Sequence, residues 1–283
     1  KDMRTKVVSL ILIAIPAALV FLQHDTGSAL VFVSFIFPLY REGVSGAVLV
    51  VGVAAIALFI MALLVNKYIL LGILALLAAG YLFVWLNKRT RKDYLRAIAI
   101  FVCCAAFVFS VDFVFNNVLE SHQRERIDVL LGKTEDLQGS GYNVNQSKIA
   151  IGSGGLIGKG YLDGTVTKAN FVPEKHTDFI FCTIGEEWGF FGCTIVILLY
   201  VLLIWRIIKN AERSREAFTR IYGYCVACCI FMHLFINIGM TIGLMPVIGI
   251  PLPLVSYGGS SLWAFTILIF IFIALDRNER KYF

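Results

Sequence analysis

Charge is scarce in this chain. Only 16% of its 283 residues are Asp, Glu, Lys or Arg, 59% are hydrophobic, and the mean hydropathy is +0.81. A soluble domain of this length needs far more polar surface, so a water-soluble fold is excluded. Cysteine is missing from the long polar loop over 117–178. Cys103, Cys104, Cys182, Cys193, Cys225, Cys228 and Cys229 all sit in apolar runs, which leaves no structural disulfide for that stretch. Cys225 and Cys228 have a metal or redox spacing, but small apolar side chains within a membrane helix are the commoner use of such cysteines. The glycine run from Gly152 to Gly160 is not a phosphate loop, because no buried strand precedes it and it lacks the Gly-Lys-Ser/Thr order. There is also no methionine at position 1 and no signal-peptide pattern. Lys1-Asp2-Met3-Arg4 reads as the start of a fragment that lacks an even number of upstream spans.

Long apolar runs are what the chain has instead. Several approach the ~20 residues that cross a bilayer, and eight spans are read: 7–22, 28–40, 44–65, 68–87, 97–116, 179–208, 219–240 and 258–275, the second short and able to form one tight hairpin with the first. The expectation is an all-α, polytopic helical membrane protein, a single integral membrane domain over 1–283. Its basic residues fall largely on one side of this eight-span order. Lys1, Arg4, Lys6, Arg41, Lys88, Arg89, Arg91, Lys92, Arg96, Arg206, Lys209, Arg213, Arg215, Arg220, Arg277, Arg280 and Lys281 are 17 of the 25 Lys and Arg. That side is expected to be cytoplasmic, with Phe283 on it, and the 117–178 loop extracytoplasmic. The net charge of +6 is thereby accounted for, and no separate basic patch remains for nucleic acid.

The polar stretch from Gly139 to Gly192 holds the chemistry-bearing residues, because polar groups at a membrane are costly unless they work. Ahead of it, 120–138 reads as an amphipathic segment, either dipping Val129, Leu130, Leu131 and Leu137 into the interface or solvated. The run Gly152-Ser153-Gly154-Gly155, with Gly158-Lys159-Gly160, can wrap N–H groups around an anion or simply turn the chain. Pro173-Glu174-Lys175-His176-Thr177-Asp178 lies against a membrane entry at Phe179. Partial burial would raise the Asp178 pKa and a neighbouring cation would lower it, and an Asp so placed can act as a general base. The alternative is that Thr177 or Asp178 caps the following helix. Glu186 and Glu187 lie deeper and need partners or a wet cavity; a salt bridge to an arginine on a neighbouring span is the plainer reading. Residues 243–261 hold three prolines and four glycines, which prevents a regular helix. Ser256-Tyr257-Gly258-Gly259 then opens the last helix with free N–H groups, a place for a pyrophosphate or a re-entrant structural turn.

Four segments, in order, resemble the SEDS family (shape, elongation, division and sporulation). They are QHDTGSAL from Gln23, with His24 and Ser28 at positions where the family carries Pro and Thr; GYNVNQSKIAIGSGGLIGKG; FVPEKHTDFIFCTIGEEWGFFG; and GLMPVIGIPLPLVSYGGSS. The Pro246–Pro253 wording is similar to the RodA-like elongation branch rather than the FtsW-like division branch. The resemblance covers most of 1–40 and 120–283. The family's first four spans are absent, and 41–116 holds an extra helical hairpin.

The resemblance implies a peptidoglycan glycosyltransferase that polymerises lipid II, an undecaprenyl-pyrophosphate disaccharide-pentapeptide, outside the bacterial cytoplasmic membrane during rod-shaped elongation. Asp178 matches the family's essential Asp. Implied substrate contacts are Asp25, Arg124, Gln146, Ser147, Lys159, Glu174, Lys175, His176, Glu186, Glu187, Ser256, Tyr257, Gly258 and Gly259. The implied partners are a class B penicillin-binding protein transpeptidase and other elongation-complex membrane proteins. No closed metal site is written in the sequence; a divalent cation, Mg or Mn, is the cofactor the chemistry leaves room for. Two other readings stay open: a lipid II flippase, and a non-catalytic scaffold for the penicillin-binding protein. A flippase would need polar groups along a path across the bilayer, and the inner half here is plain.

Overall fold

The structure is a computed structural model, and it describes residues 3–23, 25–85, 91–117, 119, 121–130 and 140–281. His24, the basic residues Lys1, Lys88 and Arg89, Leu131, Lys133 and Leu137 of the amphipathic segment, and Phe283 lie outside the described residues. The single membrane domain expected from the sequence divides into two compact units: residues 1–44 with 132–283, and residues 45–131.

Five helical stretches are long and apolar enough to cross a membrane: Gly46–Leu64, Asp93–Asn117, Ile180–Arg213, Ala217–Thr241 and Gly259–Glu279. Shorter apolar stretches run over Val7–Leu22, Thr26–Arg41 and Lys67–Phe83. The protein is therefore an all-helical, multi-pass membrane protein, and its five long and three shorter apolar stretches fall on the eight apolar runs.

The first unit contains α1 (Met3–Leu22), α2 (Thr26–Val33), α3 (Ile36–Arg41), and the helices introduced next. The apolar run over 28–40 suggests one short span, but the structure breaks it. Pro38 has no N–H for the Ser34 carbonyl, and Phe37 N–H takes that carbonyl in a tighter turn at 3.0 Å. The rest of the unit is α8 (Ser140–Gly154), α9 (Thr165–Lys168), α10 (Ile180–Arg213), α11 (Ala217–Thr241) and α12 (Gly259–Lys281). Tyr200, Ile207, Val226, Ile230, Leu234, Phe265 and Phe272 form the core between α10, α11 and α12. At the basic end, Arg41 meets Glu212 at 3.0 Å and Arg220 meets Glu42 at 3.1 Å, which ties α3 to the α10–α11 turn.

α10 is broken at Gly189, whose φ of 62° and ψ of −158° only glycine adopts readily. A broken helix leaves carbonyls and N–H groups without partners, and lipid supplies none. The glycine loop after α8 supplies them. Lys159 N–H donates to Glu186 O and Gly160 N–H to Glu187 O, each at 3.0 Å; Phe190 N–H donates to Gly155 O (2.9 Å) and Phe191 N–H to Leu156 O (3.2 Å).

The second unit contains α4 (Gly46–Leu64), α5 (Lys67–Gly80) continuing as a π turn over Tyr81–Trp85, α6 (Arg91–Asn117) and α7 (Ser121–Leu130). Ser45 and Asn66 cap α4 and α5 through their side-chain oxygens. Lys67 pairs with Asp112 at 2.9 Å across α5 and α6. No residue of α4 is buried, as suits a helix facing hydrocarbon.

Candidate functional site

The 173–178 segment is a chain of turns anchored at both ends. Val172 (0% exposed) and Phe179 (1% exposed) plug into an apolar cluster with Ala150 and Cys182. Phe179 N–H donates to Glu174 O at 3.1 Å and fixes the curve between them. Glu174 and His176 are exposed on the curve, and Asp178 is half-buried at its end.

Two other elements close on this curve. Asn237 of α11, fully buried, donates from Nδ2 to Asp178 O at 2.8 Å and to Ile250 O at 2.7 Å. The irregular 243–258 turn lies along it. Ser256 Oγ donates to Thr177 O at 2.6 Å, and Tyr257 N–H donates to His176 O at 2.8 Å. Gly249, with φ +79°, passes the acid so closely that a Cβ there would stand 3.3 Å from Asp178 Oδ2. Gly27 packs on Ile248 and Ile250 of the same turn, which draws in the Asp25 corner. Asp25 itself caps α2, its Oδ1 accepting from Ser28 N–H at 2.9 Å. Glu174, His176, Asp178, Ser256 and Tyr257 are thus brought together. α12 begins at Gly259, next to Tyr257, and a first helical turn presents N–H groups suited to an anion.

The capping reading of this segment is overturned. Phe179 occupies the position before α10 and no side chain caps it. Thr177 Oγ1 donates to Glu174 Oε2 at 2.8 Å instead. Among the described residues, no hydrogen bond or ion pair reaches the Asp178 carboxylate. Burial pushes its pKa above the usual carboxylate range, and the Glu174 charge pushes it the same way. The expected lowering by a cation is absent because Lys175 turns away, its ammonium donating to Thr167 O and Asn170 Oδ1.

Several other expectations are corrected. The glycine run is no anion cradle, since its N–H groups at 155, 158, 159 and 160 all go to main-chain carbonyls. Glu186 is 0% exposed, and its partner is Lys159 at 2.8 Å, not an arginine of a neighbouring span. Its oxygens also accept from Val166 N–H, Thr167 N–H, Thr165 Oγ1 and Ser153 Oγ. This enclosure argues against Glu186 as a substrate contact, and the Lys159 side chain, 26% exposed, is engaged by Glu186 and Thr165 Oγ1. Ser147 is buried and donates to Thr241 O at 2.9 Å, tying α8 to α11, while its neighbour Gln146 is half-buried. Glu187 is half-buried one residue before the break at Trp188-Gly189. Arg124 belongs to the second unit, where it donates to Asn116 O and lies over the Phe115 ring. Among the described residues, no three His, Cys, Asp or Glu side chains converge as a metal site.

Asn237 and Gly249 escaped the sequence reading. Asn237 is an amide inside the apolar α11 run, and a polar residue at that depth is itself a signal. Gly249 was legible only as one of several turn-breaking residues.

Ionisable groups gathered where a broken helical bundle meets a membrane boundary define a polytopic membrane protein with a site at that boundary. The chain belongs to the FtsW/RodA/SpoVE family of cell cycle proteins, the SEDS family, whose model matches residues 71–281. The match includes 71–116 and leaves the Gln23–Leu30 corner outside it. Over 211 residues the chain is 42% identical to the peptidoglycan glycosyltransferase MrdB of Escherichia coli K12, covering 75% of this chain and 56% of that protein. It is 40% identical over 164 residues to the peptidoglycan glycosyltransferase RodA of Treponema pallidum, 58% of this chain and 37% of that one. It is 37% identical over 173 residues to a probable peptidoglycan glycosyltransferase FtsW of Haemophilus influenzae, 60% of this chain and 44% of that one. The chain spans about half the length of the curated relatives it matches.

Proposed function

We propose that this chain carries the catalytic centre of a RodA-like peptidoglycan glycosyltransferase that polymerises lipid II in cell-wall elongation. The observation that carries the reading is the Asp178 carboxylate: half-buried, without an ion pair among the described residues, raised in pKa, and standing beside Gly249 of the 243–258 turn. A structural carboxylate would be capped or paired; a general base must be free.

In the proposed reaction, Asp178 takes the proton from the 4-hydroxyl of the acceptor sugar as that oxygen forms a bond to the donor's anomeric carbon. The bond from that carbon to the diphosphate oxygen breaks, and undecaprenyl diphosphate leaves with the electron pair. The proton on Asp178 then passes to water. The leaving group is already stable, so one base and stabilisation of the diphosphate charge suffice. The N–H groups at the start of α12 and the exposed His176 edge are the groups available for that charge. A divalent cation, Mg or Mn, would supply further charge for the diphosphate, held by the substrate's own oxygens and one or two carboxylates such as Glu174.

The same reading sets the site on the extracytoplasmic face, supported by the basic residues that gather at the opposite ends of the spans. The proposed partners are a class B penicillin-binding protein transpeptidase, which would cross-link the new strand, and elongation-complex membrane proteins. The test is the full-length protein in vesicles with labelled lipid II. Polymer formation with release of undecaprenyl diphosphate is expected. Movement of lipid II across the bilayer without polymer would favour a flippase and overturn the proposal.

A further inference from the structure

Asn237 is a fully buried amide in the apolar interior of α11. Both of its Nδ2 protons are used, one on Asp178 O and one on Ile250 O. The two acceptors belong to different segments, the turn ahead of α10 and the irregular turn that carries Gly249. Neither lies in regular helix, so each carbonyl needs a partner that hydrocarbon does not offer. The cost of supplying it is visible: among the described residues, Asn237 Oδ1 is buried with no hydrogen-bond partner. An orphaned acceptor is expensive, and it is retained where the two donors matter more.

We infer that Asn237 is a positioning residue for the reaction, holding the Asp178 main chain and the Ile250 main chain at one spacing so that the carboxylate stands beside Gly249. The inference rests on the reading of Asp178 as the base. Ser256 Oγ ties the neighbouring Thr177 O and Phe179 is locked in the core, so the residues on either side of Asp178 are already fixed. Asn237 fixes the Asp178 carbonyl itself. Loss of that bond lets the carboxylate shift within a site that stays folded, and a displacement of about 1 Å costs about 10²-fold in rate.

The test uses the full-length protein with labelled lipid II and compares Asn237→Leu and Asn237→Ser, singly and on an Asp178→Asn background. Asn237→Leu is expected to lower kcat ~10–100-fold while KM stays within ~2-fold, the signature of lost alignment rather than lost binding. Asn237→Ser keeps one donor and is expected to fall between Leu and the parent, which keeps the test alive if the Leu protein inserts poorly. Because Asn237 acts through Asp178, adding Asn237→Leu to Asp178→Asn should change the residual rate by less than ~2-fold. Unchanged kcat in both Asn237 variants overturns the inference while leaving the base assignment standing. So does an equal further loss on the Asp178→Asn background, which marks a general structural role. Normal polymerisation by Asp178→Asn alone overturns the base assignment, and the inference falls with it.

Discussion

Lys159 Nζ stands 2.8 Å from Glu186 Oε1, and the carboxylate side chain is wholly enclosed. This pair, with four further donors to Glu186, pins the loop after α8 into the break of α10. The break lies nine residues past Ile180, about 13 Å along the helix axis. The loop thereby closes a wound in a membrane helix with main-chain hydrogen bonds and one ion pair.

Lys159→Met should destabilise the protein by about 3 kcal/mol, because it leaves a buried carboxylate with no counter-charge. Glu186→Gln keeps the size and loses the charge, and should cost less, about 1–2 kcal/mol. Thermal unfolding in detergent measures both, and proteolysis of the 155–164 loop should quicken in the Lys159 variant first. Equal stability of both variants with the parent would show the pair to be dispensable.

Gly189→Ala should be far more damaging than Gly152→Ala. A Cβ at Gly189 would lie 2.4 Å from Gly158 N at a φ of +62°, whereas at Gly152, inside α8, it meets nothing within 4 Å. The expected effects are a loss of more than ~3 kcal/mol at position 189 and a gain of about 0.5–1 kcal/mol at 152. The amount of folded protein recovered from membranes, with its thermal midpoint, decides between them.

The pKa of Asp178 sets the pH behaviour. Ionisation is disfavoured in the folded protein, so the acid limb of the rate profile should lie above the ordinary Asp value of ~3.9. For stability the sign is the reverse of an ion-paired acid. The folded-state pKa is raised, so there is no penalty while both states are protonated, and the cost grows as pH rises through the raised value. Glu174→Gln removes the like charge, and should move the acid limb to lower pH and increase activity on the acid side. A limb that stays in place would mean that Glu174 does not bear on Asp178.

The orientation is open to direct labelling. Cysteine introduced at the exposed Asp163 should react with a membrane-impermeant maleimide from outside intact cells, and cysteine at the exposed Arg277 should react only after permeabilisation. The opposite pattern would put Asp178 on the cytoplasmic side and exclude the proposed polymerase site.

The spans were the most legible part of the sequence. Hydropathy set 44–65 and 219–240 within two residues of helices Gly46–Leu64 and Ala217–Thr241, because lipid-facing helices such as α4 must be apolar all round. The break at Ser34–Phe35 was not legible, since Pro38 inside an apolar run is also compatible with a continuous span. The glycine run was visible but its use was not. Glycines that admit an anion also admit a neighbouring backbone, and only the position of α10 decides between these. For Asp178, its residue type and its place at a membrane entry were readable. Its freedom from a cap depended on Phe179 taking the position before α10, a matter of tertiary packing.

The most direct test of the central claim is the single-turnover rate of lipid II polymerisation by the full-length Asp178→Asn protein at neutral pH. Asn keeps the shape, and the main-chain oxygen that Asn237 holds is untouched. A fall of ~10²–10⁴-fold is expected, with membrane insertion intact and thermal stability unchanged or raised, because the ionised acid is unfavourable where it stands. A rate within a few-fold of the parent protein would contradict the assignment of Asp178 as the catalytic base.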